Sequence, residues 1–372
     1  MSESRSHANA AGTMIVLAVS LLLGLPLLGV VLAGKSLDGY LDFPPLTRYV
    51  EHAGFSWFAF ALMTTFIVAC VLPFVMTILR NPVHASPTPE RNRFPRWGLA
   101  AIAFTLIAWA IAWTRLPWFT AVQSYTFIPL WLGYIVSVNA VTLWISGRSP
   151  LTHETRAYVL LFPVSAAFWW FFEYLNRFVQ NWYYVGIDAF APFEYALWAS
   201  LAFSTVLPAV CATRALLATI PRLQAGLDRG LCVRLPRCAV PPALLLAAAG
   251  LLAIGIWPDW TYPMVWLAPL VIIVGLQILL GRQHILSPLA EGDWRDIWLW
   301  VVAALVCGFF WETWNFLSTA KWVYAVPFVH RFEIFEMPLL GYAGYLPFGL
   351  ECAVVVNLVR RWHGERGVPR RC

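Results

Sequence analysis

Ten stretches of 17 to 25 residues, apolar almost throughout, recur along the chain: 12–34, 55–79, 98–114, 126–146, 157–175, 193–213, 240–257, 263–281, 297–316 and 335–359. A bilayer core of about 30 Å is crossed by about 20 helical residues at about 1.5 Å each. Such runs are too long for barrel strands, and no ten-residue alternation of apolar and polar residues appears. Helices are then required, because hydrocarbon offers the backbone no hydrogen-bond partner. The composition agrees. The chain is 60% hydrophobic and 12% charged, against about 25% charged in a soluble domain. That excludes a soluble enzyme, a disordered chain and a disulfide scaffold. The expected fold class is all-α, a polytopic helical membrane protein with about ten transmembrane helices.

The basic residues orient the spans. Under strict alternation, 19 of the 25 Lys and Arg residues fall on the side of the N-terminus, chiefly in 80–97, 214–239 and the tail. Lys35, Arg48, Arg115, Arg177, Lys321 and Arg331 fall on the other side. Basic residues collect in the cytoplasm, so both termini are expected there. The basic loops read as orientation determinants touching anionic lipid, with no role for nucleic acid. The first span could instead be a signal peptide, but its apolar run is longer than usual and its basic leader is thin.

The chain also resembles itself. Ser149-Pro150-Leu151 aligns with Ser287-Pro288-Leu289 at an offset of 138, placing Asn139 opposite Gln277. Glu173 and Asn176 align with Glu312 and Asn315 at 139, Trp182 and Tyr184 with Trp322 and Tyr324 at 140, and Phe193-Glu194 with Phe335-Glu336 at 142. Small loop insertions produce such a drift. Two four-helix repeats are expected, with the same orientation because each has an even number of spans. The expected organisation is 1–97 as a two-helix segment with an outward loop, 98–239 as the first repeat with its basic loop, and 240–372 as the second with its basic tail.

Each Glu-x-x-Asn pair lies at the outer end of a third helix, where i, i+3 spacing puts both groups on one face. An aromatic loop follows, then a second Glu at the outer start of the fourth helix. Glu173, Asn176 and Glu194, and likewise Glu312, Asn315 and Glu336, are expected to converge as candidate catalytic residues. A carboxyl in apolar surroundings can stay protonated and act as an acid. The bland alternative is that these acids face headgroup water, the amides bond neighbouring helices, and the Trp and Tyr residues form an interfacial belt. Trp182, Tyr184, Trp311, Trp322 and Tyr324 are the candidate substrate-binding aromatics. Glu351, deep in the last span and absent from the first copy, joins them as an intramembrane ionisable group.

His330, Glu333 and Glu336 have spacing that could bind a metal, but the stretch holds no second His, so no metal or cofactor is expected. Seven cysteines, odd in number and mostly in apolar spans, read as free thiols. The outward loop from Gly34 to Ser56 reads as a solvated connector, with a lid as the alternative. No Gly-rich phosphate loop, nucleophile elbow, His-Glu-x-x-His or Cys-x-x-Cys occurs.

The segment from Phe309 to Cys352, FFWETWNFLSTAKWVYAVPFVHRFEIFEMPLLGYAGYLPFGLEC, resembles a motif of uncharacterised bacterial multi-pass membrane proteins. That resemblance implies a bacterial inner-membrane protein. Trp182-Tyr-Tyr184, Gly186 and Pro192-Phe-Glu194, echoed at Trp322, Tyr324 and Glu336, are similar to the membrane-integral lycopene cyclases. Those pair a Trp-x-Tyr stretch with Pro-x-Glu-Glu. Here Tyr195 replaces the second Glu, and the second copy lacks the Pro. The similarity implies acid-initiated chemistry on an isoprenoid, with Glu194 or Glu336 as proton donor.

Three functions are open at this point. The first is an enzyme acting on a lipid or isoprenoid by Glu-mediated acid–base chemistry near the extracytoplasmic side. The second is a transporter or channel with its path between the repeats, lined by Asn139, Gln277 and Glu351. The third is a non-catalytic membrane scaffold. Membrane lipids are the expected partners in each.

Overall fold

The computed structural model describes residues 2–45, 47–83 and 93–364, with side chains from Ile15 onward. Arg91, Arg366, Arg370, Arg371 and Cys372, and the side chain of Arg5, lie outside the described residues. The helices run in the order α1 Ser2–Leu32, α2 Trp57–Arg80, α3 Arg96–Trp113, α4 Phe127–Ser146, α5 Pro150–His153, α6 Thr155–Val179, α7 Pro192–Phe203 and α8 Val206–Leu217. They continue with α9 Val240–Ile256, α10 Pro258–Thr261, α11 Met264–Leu279, α12 Arg295–Phe316 and α13 Tyr345–Trp362. Among the described residues, nine segments are long and apolar enough to cross a bilayer. The chain is an all-α polytopic helical membrane protein. Large apolar side chains face outward where a soluble protein would be polar, as at Phe58, Leu245 and Leu246.

The expected tenth span, 263–281, is the 16-residue α11. It is shorter than the others because Pro263 precedes it and Gly281 ends the run with a left-handed turn at φ 63°. At about 24 Å it falls short of the hydrocarbon core. It packs between α9 and α13 instead of standing alone.

The helices from α3 to α8 and from α9 to α13 share one neighbour pattern. In each set the first long helix packs on the second, the second on the fourth, and the third on the fourth: α3 on α4, α4 on α8, α6 on α8, then α9 on α11, α11 on α13, α12 on α13. The sets join where α12 and α13 meet α8. Helix α1 lies on α9, and the contact needs glycine. A Cβ on Gly29 would strike the carbonyl of Leu252, and one on Gly255 that of Pro26.

Both fourth spans, Pro192–Leu217 and Leu339–Trp362, are irregular partway along one helical run, although no broken-helix pair stands out in the hydropathy. The first stops at Phe203 and restarts at Val206; the second is a 3-10 turn, Leu339–Gly344, that becomes α13 at Tyr345. The physical reason is proline. Pro208 and Pro347 are each the third residue of the restarted helix, where a missing N–H costs nothing but the preceding turn cannot continue. Ser165 stitches the first break, its Oγ donating to the Phe203 carbonyl at 2.6 Å and accepting from the Leu207 N–H at 3.0 Å.

Two short ribbons interrupt the helical pattern, in segments the sequence suggests are aromatic loops. Strands β1 (Trp182–Val185) and β2 (Lys321–Tyr324) pair antiparallel, with Trp182 opposite Tyr324, Tyr183 opposite Val323 and Tyr184 opposite Trp322. Strands β3 (Glu333–Ile334) and β4 (Met337–Pro338) form a smaller hairpin beside them. The β1–β2 register is symmetric about Tyr183 and Val323. The residues matched by the 140-residue offset therefore exchange places across its centre.

Candidate functional site

Beneath this ribbon, the last turns of α6 and α12 bring up two buried carboxyls. Glu173 and Glu312 are both 0% exposed. Oε1 of Glu173 accepts from Trp169 Nε1 at 3.0 Å, Trp182 Nε1 at 3.0 Å and Tyr184 Oη at 2.6 Å. Oε1 of Glu312 accepts from Tyr324 Oη at 2.7 Å and Tyr345 Oη at 2.9 Å, while Trp322 Nε1 donates to the Tyr324 hydroxyl at 2.9 Å. In both residues Oε2 is buried without a partner. A carboxyl hub of this kind fixes the rings around it, since each hydrogen bond it accepts holds one ring in place and contributes roughly 0.5–1.5 kcal/mol. Burial, and then the adjacent carboxyl, push the phenols of Tyr184 and Tyr324 far above their ordinary titration range, so both remain donors.

One turn further on, the amides pin the strands. Asn176 Nδ2 donates to the Trp182 carbonyl at 2.7 Å, and its Oδ1 accepts from Asn181 N at 2.8 Å. Asn315 Nδ2 donates to the Trp322 carbonyl at 2.7 Å, and its Oδ1 accepts from Trp322 N at 2.9 Å. Glu and Asn at i, i+3 thus divide the labour on one helix face. The acid holds side chains and the amide holds backbone.

Between the hubs lies a chamber of about 170 Å³. Trp182, Tyr184, Trp311, Trp322, Tyr324 and Tyr345 line it. Both helix breaks border it, through Phe203 and Val206 and through Gly344 and Tyr345. All five expected binding aromatics reach this chamber. Glu173 and Glu312 stand behind its wall, one hydrogen bond away.

The second acids do not hydrogen-bond to the hubs. Glu194, at the start of α7, accepts from Tyr125 Oη at 3.2 Å. Glu336 is ion-paired to Lys321. Tyr125 and Lys321 themselves line the chamber, so both acids hold residues at its edge. Glu351 is elsewhere. It is 3% exposed within α13, with its carboxyl beside the Leu270 backbone. Asn139 is fully engaged, donating to the Ile135 carbonyl and Tyr158 Oη and accepting from the Leu151 N–H. Asn139, Gln277 and Glu351 do not line the chamber. His330 meets Glu333 at 3.1 Å, while Glu336 faces Lys321. No group of three metal-ligating side chains comes together among the described residues.

Sequence reasoning missed Trp169 and Tyr345, each the third donor-bearing ring of its hub. Neither has an aromatic counterpart at the 139-residue offset; the matching positions are Gly308 and Val206. A search for repeated landmarks passes over residues that break the repeat.

No family model, curated protein or solved structure matches this chain.

Proposed function

We propose that the chain is an inner-membrane enzyme whose ribbon side is extracytoplasmic, and that the aromatic chamber is where a lipid or isoprenoid substrate reacts. In this reading two duplicated four-helix units place their carboxyl hubs on either side of one reaction space. Glu312 is the acid–base group and works through Tyr324 and Tyr345, whose hydroxyls bridge the carboxyl and the chamber. Glu173 holds the opposite wall in the same manner. The observation that carries this reading is a chamber walled by Trp and Tyr and flanked by two buried carboxyls, each with one unpartnered oxygen. Such walls exclude water, suit hydrocarbon, and offer ring faces to a developing positive charge.

A transporter is the second reading, favoured by the two broken spans that meet at the chamber, since discontinuous helices often build transport sites. The two are separated by comparing extracted lipids from a deletion strain complemented with wild-type protein, Glu312→Gln or Tyr345→Phe. The enzyme reading expects a product that disappears in Glu312→Gln at unchanged protein level. Identical lipid profiles in all strains would sink it.

A further inference from the structure

Helix α2 is anchored at its two ends and touches the bundle lightly in between, where Met63 Sδ accepts from Tyr262 Oη at 3.6 Å and Ile67 packs against the core. At the ribbon end, Ser56 N donates to the Phe328 carbonyl at 2.8 Å, and the Arg331 guanidinium lies over the rings of Phe55 and Trp57. At the far end, Phe74 stacks on Trp298 at 4.9 Å and Arg222 donates to the Asn81 carbonyl at 2.8 Å. Among its residues only Ile78 is buried. Behind its middle lies a cavity of about 1130 Å³, bounded by α2, α11, α12 and α13. Its lining is almost wholly apolar, with Met63 and Ile67 from α2, Leu270 from α11 and Leu350 from α13. From Leu62 to Thr77 the cavity follows α2 for roughly 22 Å.

The space is a groove partly open to the surroundings of the helices, not a sealed void, so what fills it comes from the medium around the bundle. Water is a poor filler where polar partners are so few. The chamber between the hubs, at about 170 Å³, is below the roughly 300–1,000 Å³ of ligand pockets, so it houses only part of a ligand. The large cavity shares a wall with it, made by Trp182, Trp266, Tyr324, Met337, Gly341 and Gly344. Two of those six are glycines.

We propose that the cavity behind α2 holds a hydrocarbon chain of a bilayer phospholipid, lying along α2 with its path toward the Met337–Gly344 wall of the aromatic chamber. We take a phospholipid as the occupant because the apolar groove lies among membrane-spanning helices, and its length of roughly 22 Å accommodates a chain from one leaflet, about 15 Å deep. The site stands on its own geometry. Only the step that links the chain to chemistry rests on the enzymatic reading above.

The test uses the full chain in phosphatidylcholine vesicles containing a small fraction of phosphatidylcholine with a diazirine at mid-chain. After irradiation, carbene adducts are located by peptide mass spectrometry. Adducts on the half-buried Ile67, Leu270 and Leu350 are expected several-fold above those on Leu245 and Leu246, which are 72% and 70% exposed on α9. Leu350→Trp, which narrows the groove beside α13, should lower adducts at Ile67 and Leu270 several-fold and leave Leu245 and Leu246 unchanged. Labelling that simply tracks exposure, or that ignores Leu350→Trp, overturns the proposal. Glu312→Gln should leave the labelling intact. If that variant also leaves lipid profiles unchanged, the chemistry falls and the lipid site stands.

Discussion

Tyr345 occupies the space that a side chain at position 308 would need: a Cβ built on Gly308 would run into the Tyr345 ring. In the first half the same two positions are reversed in bulk, Trp169 standing where Gly308 does and Val206 where Tyr345 does. Each hub therefore receives a third ring, but from opposite helices. Trp169 on α6 donates to Glu173, and Tyr345 on α13 donates to Glu312.

This exchange predicts strong coupling. Gly308→Trp alone should destabilise the protein by roughly 3 kcal/mol or more, because the indole collides with a buried ring. Tyr345→Val alone should cost about 2–4 kcal/mol through the cavity and the lost bond to Glu312. The double variant rebuilds the first-half arrangement, and thermal unfolding in detergent should place it well above the sum of the two losses. Additive losses would show that the positions do not share a space.

The paired amides make a second prediction. Asn176→Ala and Asn315→Ala each remove bonds to a ribbon backbone, and each should cost about 1–3 kcal/mol. Hydrogen exchange reports the effect locally: the Asn181 amide should lose protection in the first variant and the Trp322 amide in the second. Loss of protection across the whole of both halves from either change would mean that the amides hold the fold, not the strands.

How much of this is legible in the chain follows from which residues repeat. The spans are legible because apolar length is a one-dimensional property. Glu173, Asn176 and Trp182 are legible because Glu312, Asn315 and Trp322 answer them. The breaks in the fourth spans were there to find, since Leu207-Pro208 and Leu346-Pro347 share the 139-residue offset, yet hydropathy reads straight through them. The β1–β2 pairing is long-range, joining residues some 140 apart, and nothing local to Trp-Tyr-Tyr announces a partner. Tyr345 and Trp169 stay hidden because each is singular to its half.

Cysteine reactivity tests the packing and the orientation together. In a Cys372→Ser background, Cys70, Cys232 and Cys238 are exposed, whereas Cys211, Cys307 and Cys352 are buried. A membrane-permeant maleimide should modify Cys232 and Cys238 at least tenfold faster than the three buried thiols. If the chain is oriented as its basic residues lead us to expect, Cys232 and Cys238 in the basic loop should react with an impermeant maleimide on sealed cells only after permeabilisation. Labelling of intact cells would reverse the orientation of the chain.

The loop between α1 and α2 is strapped to both halves, where the sequence suggests a free connector. His52 Nδ1 meets Asp259 Oδ1 at 2.7 Å, its Nε2 meets the Gln180 carbonyl at 3.2 Å, and Ala53 N donates to Asp259 Oδ2 at 2.9 Å. Phe328 N donates to the Ala53 carbonyl at 3.1 Å and Arg48 N to Gln180 Oε1 at 3.3 Å. One imidazole thus ties the loop to the end of α6 and to α10, and its side chain is only 7% exposed. His52→Ala removes both ring contacts and leaves Asp259 with the Ala53 N–H, at a cost of roughly 1–3 kcal/mol. Because the strap opens before the bundle does, the loss should appear first as local release. Limited trypsin digestion at Arg48 should accelerate about tenfold in the variant, with the melting of the helices shifted only slightly. Equal cleavage in both proteins would mean that the remaining backbone bonds hold the loop without His52.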